Sequence, residues 1–265
     1  MVKKIGIVGG NGFVGSALVD HFVCSGYDVT SITRENFAQN VSRQFDILID
    51  AAGNSKKFVA DENRMLDFEL TVKHRMQTLL SFNAPLHVHI SSVDVYQDLT
   101  DPEKNKEDST VDLNTTSNYG FTKRLAELIV QRHAPQWLIF RLSGMVGPGL
   151  RKNPVYDIAN GEPIRINPDS SYQFCTTDYV ANLIRVTIEA GVRGELINVA
   201  GRGQVTPREI AKILSKPLIT SSELLSLAPR IVSVSCEKAA KFIPQQDSIS
   251  AVHYYAQMYK DNNKQ

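Results

Sequence analysis

A glycine-rich turn near the start of the chain constrains the fold more than any other feature of the sequence. It follows a short apolar run, residues 5–8, and precedes a stretch whose apolar residues recur at helical spacing. The spacing is Gly-x-x-Gly-x-x-Gly. In a dinucleotide-binding unit the first glycine permits the tight turn, the second lets the backbone approach a pyrophosphate, and the third lets the helix lie close to the sheet. We therefore predict a strand, a phosphate-binding turn and a helix, with cofactor contacts from Gly9, Gly12, Phe13, Val14 and Gly15.

Apolar runs typical of strands alternate with helix-like stretches along much of the chain. The predicted strands are residues 5–8, 27–33, 45–50, 86–90, 136–142 and 195–199. Such alternation is typical of a parallel sheet with helices on both faces. Only residues 36–44 separate the second strand and Arg34 from the third strand, too few for a full crossover helix, so that helix is expected to be reduced or missing. The sequence predicts an α/β fold built on a Rossmann-type doubly wound parallel sheet.

Two stretches depart from this alternation. Residues 143–174 contain several prolines and a Gly-Pro-Gly, and residues 201–265 read as short helices separated by prolines. In an open α/β sheet the connections beyond the carboxyl edge form the substrate side. We therefore predict that these two stretches form a small interleaved substrate-covering lobe, called the small lobe below. Residues 1–142 and 175–200 are expected to form the dinucleotide-binding domain.

Composition favours a globular protein without nucleic acid or a membrane as partner. The net charge is +1 and charged residues make up 22%, so no strong charge indicates either of these partners. No stretch approaches the ~18 apolar residues of a membrane helix. The three cysteines are far apart, and no Cys/His cluster has metal-ligand spacing, so we expect neither a disulfide framework nor a metal. The first residues lack the apolar region of a signal peptide, and a cytoplasmic location is expected.

A tyrosine and a lysine four residues apart, Tyr119 and Lys123, lie on one face of a predicted helix. An ordinary tyrosine, with a pKa near 10, is a poor acid or base at neutral pH. We expect the Lys123 ammonium to lower the tyrosine pKa by about two units, because at ~5 Å and an effective dielectric of ~20 it supplies about 3 kcal/mol. Ser92, after the fourth strand, can donate to the same substrate oxygen. These three residues are typical of hydride transfer in which Tyr119 moves the proton.

The choice of nicotinamide cofactor depends on Arg34, just past the second strand. An acidic residue there accepts a hydrogen bond from the ribose of NAD, whereas an arginine can pair with the 2′-phosphate of NADP. Glu35 follows at once, and Arg34 can also be an ordinary solvated arginine, so we predict NADP with NAD possible. Small residues after the third strand suit a backbone that passes under the adenosine half of the cofactor; they are Ala51, Ala52 and Gly53.

Together these motifs resemble an extended short-chain dehydrogenase/reductase, and more narrowly the NAD(P)-dependent epimerase/dehydratase family that modifies nucleotide sugars. The likeness covers roughly the whole chain and includes residues 173–181 and 198–201. It implies a nucleotide-sugar substrate, and a homodimer paired through the helix of Tyr119 and the long helix before it. It also implies that Lys123 holds the nicotinamide ribose. Leu142, at the end of the fifth strand, completes the predicted cofactor-binding set.

Asp94 occupies a position where members of this family place an additional acid or base. It lies two residues before Tyr96. Two interpretations stay open: Asp94 transfers a proton next to a keto carbon, or it caps local backbone N–H groups.

The sequence departs from the family at two positions in the predicted site. The family usually has asparagine where this chain has Thr71 and Gly144, and the second asparagine commonly touches the sugar or its phosphate. Arg151 and Lys152 are candidate partners of a substrate diphosphate, or ordinary surface charges.

The predicted reaction is keto reduction or epimerisation of a nucleotide-linked sugar by hydride transfer. A reductase of a non-sugar carbonyl is the alternative within enzymes, because the three catalytic residues do not select the substrate. A non-catalytic NADP-binding regulator is the alternative outside enzymes. The intact serine, tyrosine and lysine oppose it, because a sensor has no need of a proton donor.

Overall fold

The computed structural model describes residues 2–262. In chain order its elements are β1 (Lys4–Val8), α1 (Phe13–Cys24), β2 (Asp28–Ile32), α2 (Phe37–Asn40), β3 (Ile47–Asp50), α3 (Lys57–Glu62), α4 (Arg64–Phe68), a π-helical turn (Glu69–Lys73), α5 (His74–Ser81), β4 (Leu86–Ser92), a 3₁₀ turn (Val93–Val95), α6 (Asn118–His133), β5 (Gln136–Leu142), β6 (Gly144–Val146), α7 (Pro154–Ala159), β7 (Phe174–Thr176), α8 (Thr177–Glu189), β8 (Glu195–Val199), α9 (Pro207–Leu214), α10 (Ser222–Ser226), α11 (Glu237–Ala240) and α12 (Ser248–Asn262).

Six parallel strands form the central sheet in the order β2-β1-β3-β4-β5-β8. The chain crosses from β2 on one side of β1 to β3 on the other, which makes the carboxyl end of β1 a topological switch point where ligands bind in such sheets. The register aligns the strand ends, since Ser92 pairs with Leu142 and Val8 with Asp50. The predicted α/β fold with a doubly wound parallel sheet is confirmed.

The connection from β2 to β3 is short, as its length predicts. It contains one four-residue helix, α2, instead of a full crossover helix. In the strand order of the described residues, β2 lies at one edge of the sheet.

Apolar residues recur at helical spacing over residues 61–82 and predict a helix there, but the structure divides this range. Helix α3 ends before Asn63, whose side chain accepts a hydrogen bond from the backbone N–H of Leu66 and caps α4. From Arg64 the helix then runs on through the π-helical turn into α5. Single π-helical turns inside α-helices are frequent at functional sites.

The main hydrophobic core lies on the face of the sheet covered by α1 and α8. Helix α1 presents Leu18 and Phe22 to this core, at helical spacing. Strand β4 is buried along its whole length, as expected for a central parallel strand covered on both faces. Burial of a side chain such as Phe22 stabilises the fold by roughly 2–3 kcal/mol.

A second hydrophobic cluster comes mainly from the two stretches predicted to form the small lobe. It joins β6, α7, α9 and α12, with Ile158, Ile210 and Val252 fully buried. The turn before α9 is fixed by a capping box between Thr206 and Glu209. The division into two units stays a prediction, and residues 1 and 263–265 of the predicted ranges lie outside the described residues.

A buried ion pair supports the end of β5. Arg141 donates to both carboxylate oxygens of Glu127 on α6, at 2.9 and 2.7 Å, and to the hydroxyl of Tyr96 at 2.8 Å. Tyr96 in turn donates to Asn198 on β8. Arg141 thus links the carboxyl end of β5 to α6 and to Tyr96.

Membrane-spanning helices, metal-ligand clusters and disulfides are absent from the described residues. No helix within residues 2–262 is long and apolar enough to cross a membrane. In the same range no group of three or more histidine, cysteine or acidic side chains has an arrangement that could hold a metal ion. All three cysteines are free.

Candidate active site

The glycine turn has the shape of a phosphate cradle. Gly9 has a φ of +80°, in the region that favours glycine. A Cβ on Gly15 would lie 2.0 Å from the carbonyl oxygen of Gly9, so glycine is required for α1 to begin this close to the turn. A Cβ on Gly12 would contact only that same carbonyl, at 3.1 Å. A Cβ on Gly10, which the sequence motif does not include, would lie against the Ser31 hydroxyl.

The N-terminus of α1 is free to bind an anion. Gly12 supplies no side-chain cap, and the first turn contains no acidic residue. The first N–H groups of a helix lack partners within the helix, and the helix dipole is positive there. Phe13 and Val14 carry two of these N–H groups, and both side chains are partly buried. These residues fit the diphosphate of a dinucleotide.

The segment Ala51–Gly53 continues from β3 beside this turn. The backbone N–H of Ala51 donates to Val8, and Asp50 accepts from Ala52. Arg75 from α5 donates to the carbonyl of Ala52 and pairs with Asp50. Sequence reasoning missed the Asp50–Arg75 pair, because the two residues are distant in the chain.

Arg34 lies where the sequence indicates, just beyond the end of β2 and exposed to solvent. Among the described residues it forms no ion pair, whereas His74 on α5 is close enough for its pKa to be lowered, first by burial and then by the Arg34 charge. Arg34 is therefore available to a ligand phosphate at the open edge of the sheet.

The structure brings Ser92, Tyr119 and Lys123 together at the carboxyl edge of the sheet. All three side chains are largely buried. The Lys123 ammonium lies 5.3 Å from the centre of the Tyr119 ring. It is also next to Gly53, where an added Cβ would approach it to 3.6 Å. The tyrosine–lysine pair thus borders the predicted path of the cofactor.

The expectation that Lys123 lowers the Tyr119 pKa is wrong for the protein without ligands. Burial raises the pKa of Tyr119, the carboxylates of Asp94 and Asp67 raise it further, and hydrogen bonding with Ser92 only partly offsets them. Burial also lowers the pKa of Lys123, to about 8, with Arg75 adding to the effect. Burial in the folded protein disfavours the charged phenolate, and this effect is not visible in the sequence.

Asp67 is a buried carboxylate that sequence reasoning missed. It accepts hydrogen bonds from Asn54 at 2.7 Å, from Thr122 at 2.6 Å and from Thr71 at 3.4 Å. Its charge raises the pKa of Lys123 against the effect of burial. Thr71, at a family asparagine position, therefore belongs to a hydrogen-bond network next to the lysine.

Asp94 has charged partners that the sequence does not indicate. Its carboxylate accepts from the ammonium of Lys57 at 2.8 Å, from the guanidinium of Arg230 and from the hydroxyl of Ser92 at 3.1 Å. It accepts no backbone N–H within residues 2–262, so the capping interpretation is wrong. Burial alone would raise its pKa, but Lys57 and Arg230 outweigh burial and hold the pKa below its usual value. The carboxylate is ionised at neutral pH, which is the form that can accept a proton, and proton transfer by Asp94 stays a prediction.

The remaining predicted residues differ in position. Lys152 donates to the carbonyl of Ser55 beside the site, whereas Arg151 is exposed. Leu142 is buried at the end of β5 next to Ser92. At Gly144 a Cβ would meet Gln173 and the Phe174 ring at 2.8 Å, so packing of β6 on β7 explains why no asparagine stands there.

The family model that matches this chain is the NAD dependent epimerase/dehydratase family, over residues 5–200. The chain belongs to this family. The recognised resemblance and the expectation of an NAD(P)-dependent enzyme of the extended short-chain dehydrogenase/reductase type are therefore confirmed. A nicotinamide dinucleotide as cofactor is confirmed as well, whereas the preference for NADP over NAD stays a prediction. No curated protein sequence matches the chain.

Solved structures with the same fold include several family members. A UDP-galactose 4-epimerase is 19% identical, with a TM-score of 0.80, and the match covers 98% of this chain and 99% of the other. A UDP-glucuronic acid 4-epimerase from Bacillus cereus, in complex with a UDP-4-deoxy-4-fluoro-glucuronic acid and NAD, is 16% identical with a TM-score of 0.81, covering 98% and 99%. A dTDP-4-dehydrorhamnose reductase from Bacillus anthracis with NADP is 17% identical with a TM-score of 0.79, covering 97% and 99%.

Proposed function

We propose that this protein is an NAD(P)-dependent oxidoreductase or epimerase that acts on a nucleotide-linked sugar, by keto reduction or epimerisation. The observation that carries the proposal is the placement of Tyr119, Ser92 and Lys123 beside Gly53, at the switch point of a sheet whose first turn fits a diphosphate. The structurally similar epimerases and reductase, whose titles name UDP- or dTDP-linked sugars, support the substrate class.

The roles of the residues follow from their contacts. When bound, the nicotinamide supplies or accepts the hydride at the sugar carbon. Ser92 orients the sugar oxygen by a hydrogen bond, and Tyr119 transfers its proton. The raised pKa of Tyr119 keeps its hydroxyl protonated at neutral pH, so the proton is present for donation to a carbonyl oxygen in the direction of reduction. Lys123 binds the nicotinamide ribose and supplies positive charge beside the phenol. The glycine turn, Phe13 and Val14 hold the diphosphate, and residues 51–53 with Leu142 line the rest of the cofactor path.

The test is the substitution Tyr119→Phe, which removes one hydroxyl and keeps the ring. We expect turnover on the reactive member of a panel of UDP- and dTDP-linked keto and hydroxy sugars to fall at least a hundredfold, because proton transfer contributes roughly 10²–10⁴ in rate. Binding of NADPH and NADH, measured by calorimetry, is expected to stay within about twofold. Retained turnover would remove Tyr119 from the mechanism. If the native protein turns over simple ketones but no sugar nucleotide, the result would favour the non-sugar reductase.

The homodimer, the compartment and the lobe boundaries stay predictions. Apolar side chains exposed on α4, α5 and α6 support pairing through these helices; they are Met65, Leu66, Phe68, Leu80, Phe121 and Leu128. Light scattering on the purified protein would give its mass directly, and a monomer across micromolar concentrations would contradict the expected dimer.

A further inference from the structure

Two cations converge on one carboxylate at the edge of the proposed active site. Lys57 comes from α3 and Arg230 from the segment between α10 and α11, and both donate to the same oxygen of Asp94, Oδ1. The other oxygen, Oδ2, accepts from Ser92 at 3.1 Å. Asp94 therefore links both cations to the Ser92 hydroxyl, the group proposed to orient the reacting oxygen.

The positive charge at this point exceeds the negative charge. Lys57 and Arg230 share Asp94, and the exposed Asp61 is the other acid that acts on Lys57. Even with both acids the pKa of Lys57 is lowered, first by burial and then by the charge of Arg230. Lys152 adds a further ammonium, whose pKa is lowered to about 8 by burial and by neighbouring lysines. An additional anion between the cations would reduce this repulsion.

Lys57 and Arg230 also have donors to spare. An ammonium has three N–H donors and a guanidinium five. Among the described residues, the side chain of each forms a single hydrogen bond, to Asp94. Their side chains are 47% and 40% exposed, so a ligand can reach the remaining donors. Carboxylates and phosphates are the groups that a guanidinium binds with two parallel hydrogen bonds.

We propose that Lys57 and Arg230 bind a carboxylate on the sugar ring, so that the substrate is a nucleotide-linked uronic acid. The inference rests on the proposed function, because that function places the reacting sugar carbon at Ser92 and Tyr119. If that carbon is C4, the C6 carboxylate is attached to its direct neighbour in the ring, whereas the diphosphate is attached to C1 on the opposite side. A charge beside Ser92 therefore matches the carboxylate and not the diphosphate.

The test compares three ligands on the cofactor-loaded protein by calorimetry: UDP-glucuronic acid, UDP-glucose and UDP. We expect UDP-glucuronic acid to bind at least tenfold more tightly than UDP-glucose, as one charge-assisted contact allows. Arg230→Gln and Lys57→Gln should each abolish most of this preference for UDP-glucuronic acid over UDP-glucose. Each should change the affinity for UDP-glucose by less than about threefold. Arg230→Lys should keep part of the preference because it keeps the charge. Lys212→Gln, on the exposed side of α9, is the matched control and should keep all of it.

The outcomes separate the inference from the proposed function. Equal binding of both UDP-sugars by the native protein would overturn the uronic acid inference and leave a nucleotide-sugar enzyme intact. Equal weakening of all three ligands in Arg230→Gln and Lys57→Gln would overturn the inference as well, because it would assign the cations to the diphosphate. Absence of binding by every UDP ligand and by the matching dTDP-sugars would contradict both proposals.

Discussion

Three single glycine-to-alanine substitutions, two in the first turn and one after the end of α1, separate cofactor binding from folding. Each adds one methyl group, and the structure places the three methyl groups in different surroundings. At Gly12 the methyl would meet only one carbonyl oxygen, at 3.1 Å, and the backbone there (φ −79°, ψ 168°) is allowed for alanine. At Gly15 it would lie 2.0 Å from the carbonyl oxygen of Gly9. At Gly26 it would meet nothing within 4 Å, but φ is +82°.

The magnitudes follow from these surroundings. Gly12→Ala should lower the free energy of unfolding by at most about 1 kcal/mol, the cost of alanine as an N-cap. If the turn holds the diphosphate, as proposed, the added methyl group should cost one charge-assisted hydrogen bond, about 1.5–3 kcal/mol, and weaken cofactor binding roughly 10- to 100-fold. Gly15→Ala should cost about 3 kcal/mol of stability, because α1 must move away from the turn. Gly26→Ala should cost about 1–2 kcal/mol, the price of left-handed backbone in alanine.

Urea unfolding followed by the fluorescence of the one tryptophan, Trp137 on β5, measures stability, and calorimetry with NADPH measures binding. We expect Gly12→Ala to lose binding and keep stability, Gly26→Ala to do the reverse, and Gly15→Ala to lose both. Native cofactor affinity in Gly12→Ala would refute the assignment of the turn as the diphosphate cradle. A loss of stability in Gly12→Ala equal to that in Gly15→Ala would refute the packing argument.

Other predictions concern single charged side chains. Arg34→Gln should weaken NADPH binding roughly 10- to 100-fold and leave NADH binding nearly unchanged in parallel calorimetric titrations; equal losses would contradict a 2′-phosphate contact. Arg141→Met leaves the carboxylate of Glu127 buried without its main partner and should lower the free energy of unfolding in urea by about 3–5 kcal/mol. Its control, Arg124→Gln, removes a more exposed partner of Glu127 and should lower that free energy by about 1 kcal/mol or less. Lys123→Met should abolish turnover yet raise the free energy of unfolding at pH 7 by up to about 3 kcal/mol, since it removes a buried ammonium whose pKa is lowered to about 8. Because the lysine pKa is lowered in the folded state, the unfolded state binds more protons above pH 8, and the native protein gains stability as the pH rises from 8 towards 10. The difference in free energy of unfolding between the variant and the native protein should therefore disappear in this range. A difference that is unchanged at pH 10 would contradict this explanation.

Local patterns predicted the elements of the dinucleotide-binding part closely. The predicted strand 136–142 coincides with β5, and 195–199 with β8, because a buried parallel strand needs a continuous apolar run that is visible in the sequence. The glycine turn and the helix of Tyr119 were equally visible in the sequence, since both depend on residues near each other in the chain. The division of residues 61–82 was missed, because Asn63 reads as an ordinary polar residue until its side chain is seen to cap α4.

The sequence by itself determined the strand–turn–helix unit, the parallel sheet and the candidate catalytic residues, since each depends on the type and spacing of neighbouring residues. Only the tertiary structure decided the charge state of that set. Lys57 and Arg230 reach Asp94 across 37 and 136 residues of chain, and Asp67 acts on Lys123 across 56. Burial and charges brought together from distant segments set pKa values, because desolvation and Coulomb interactions depend on distance in space and not on position in the chain.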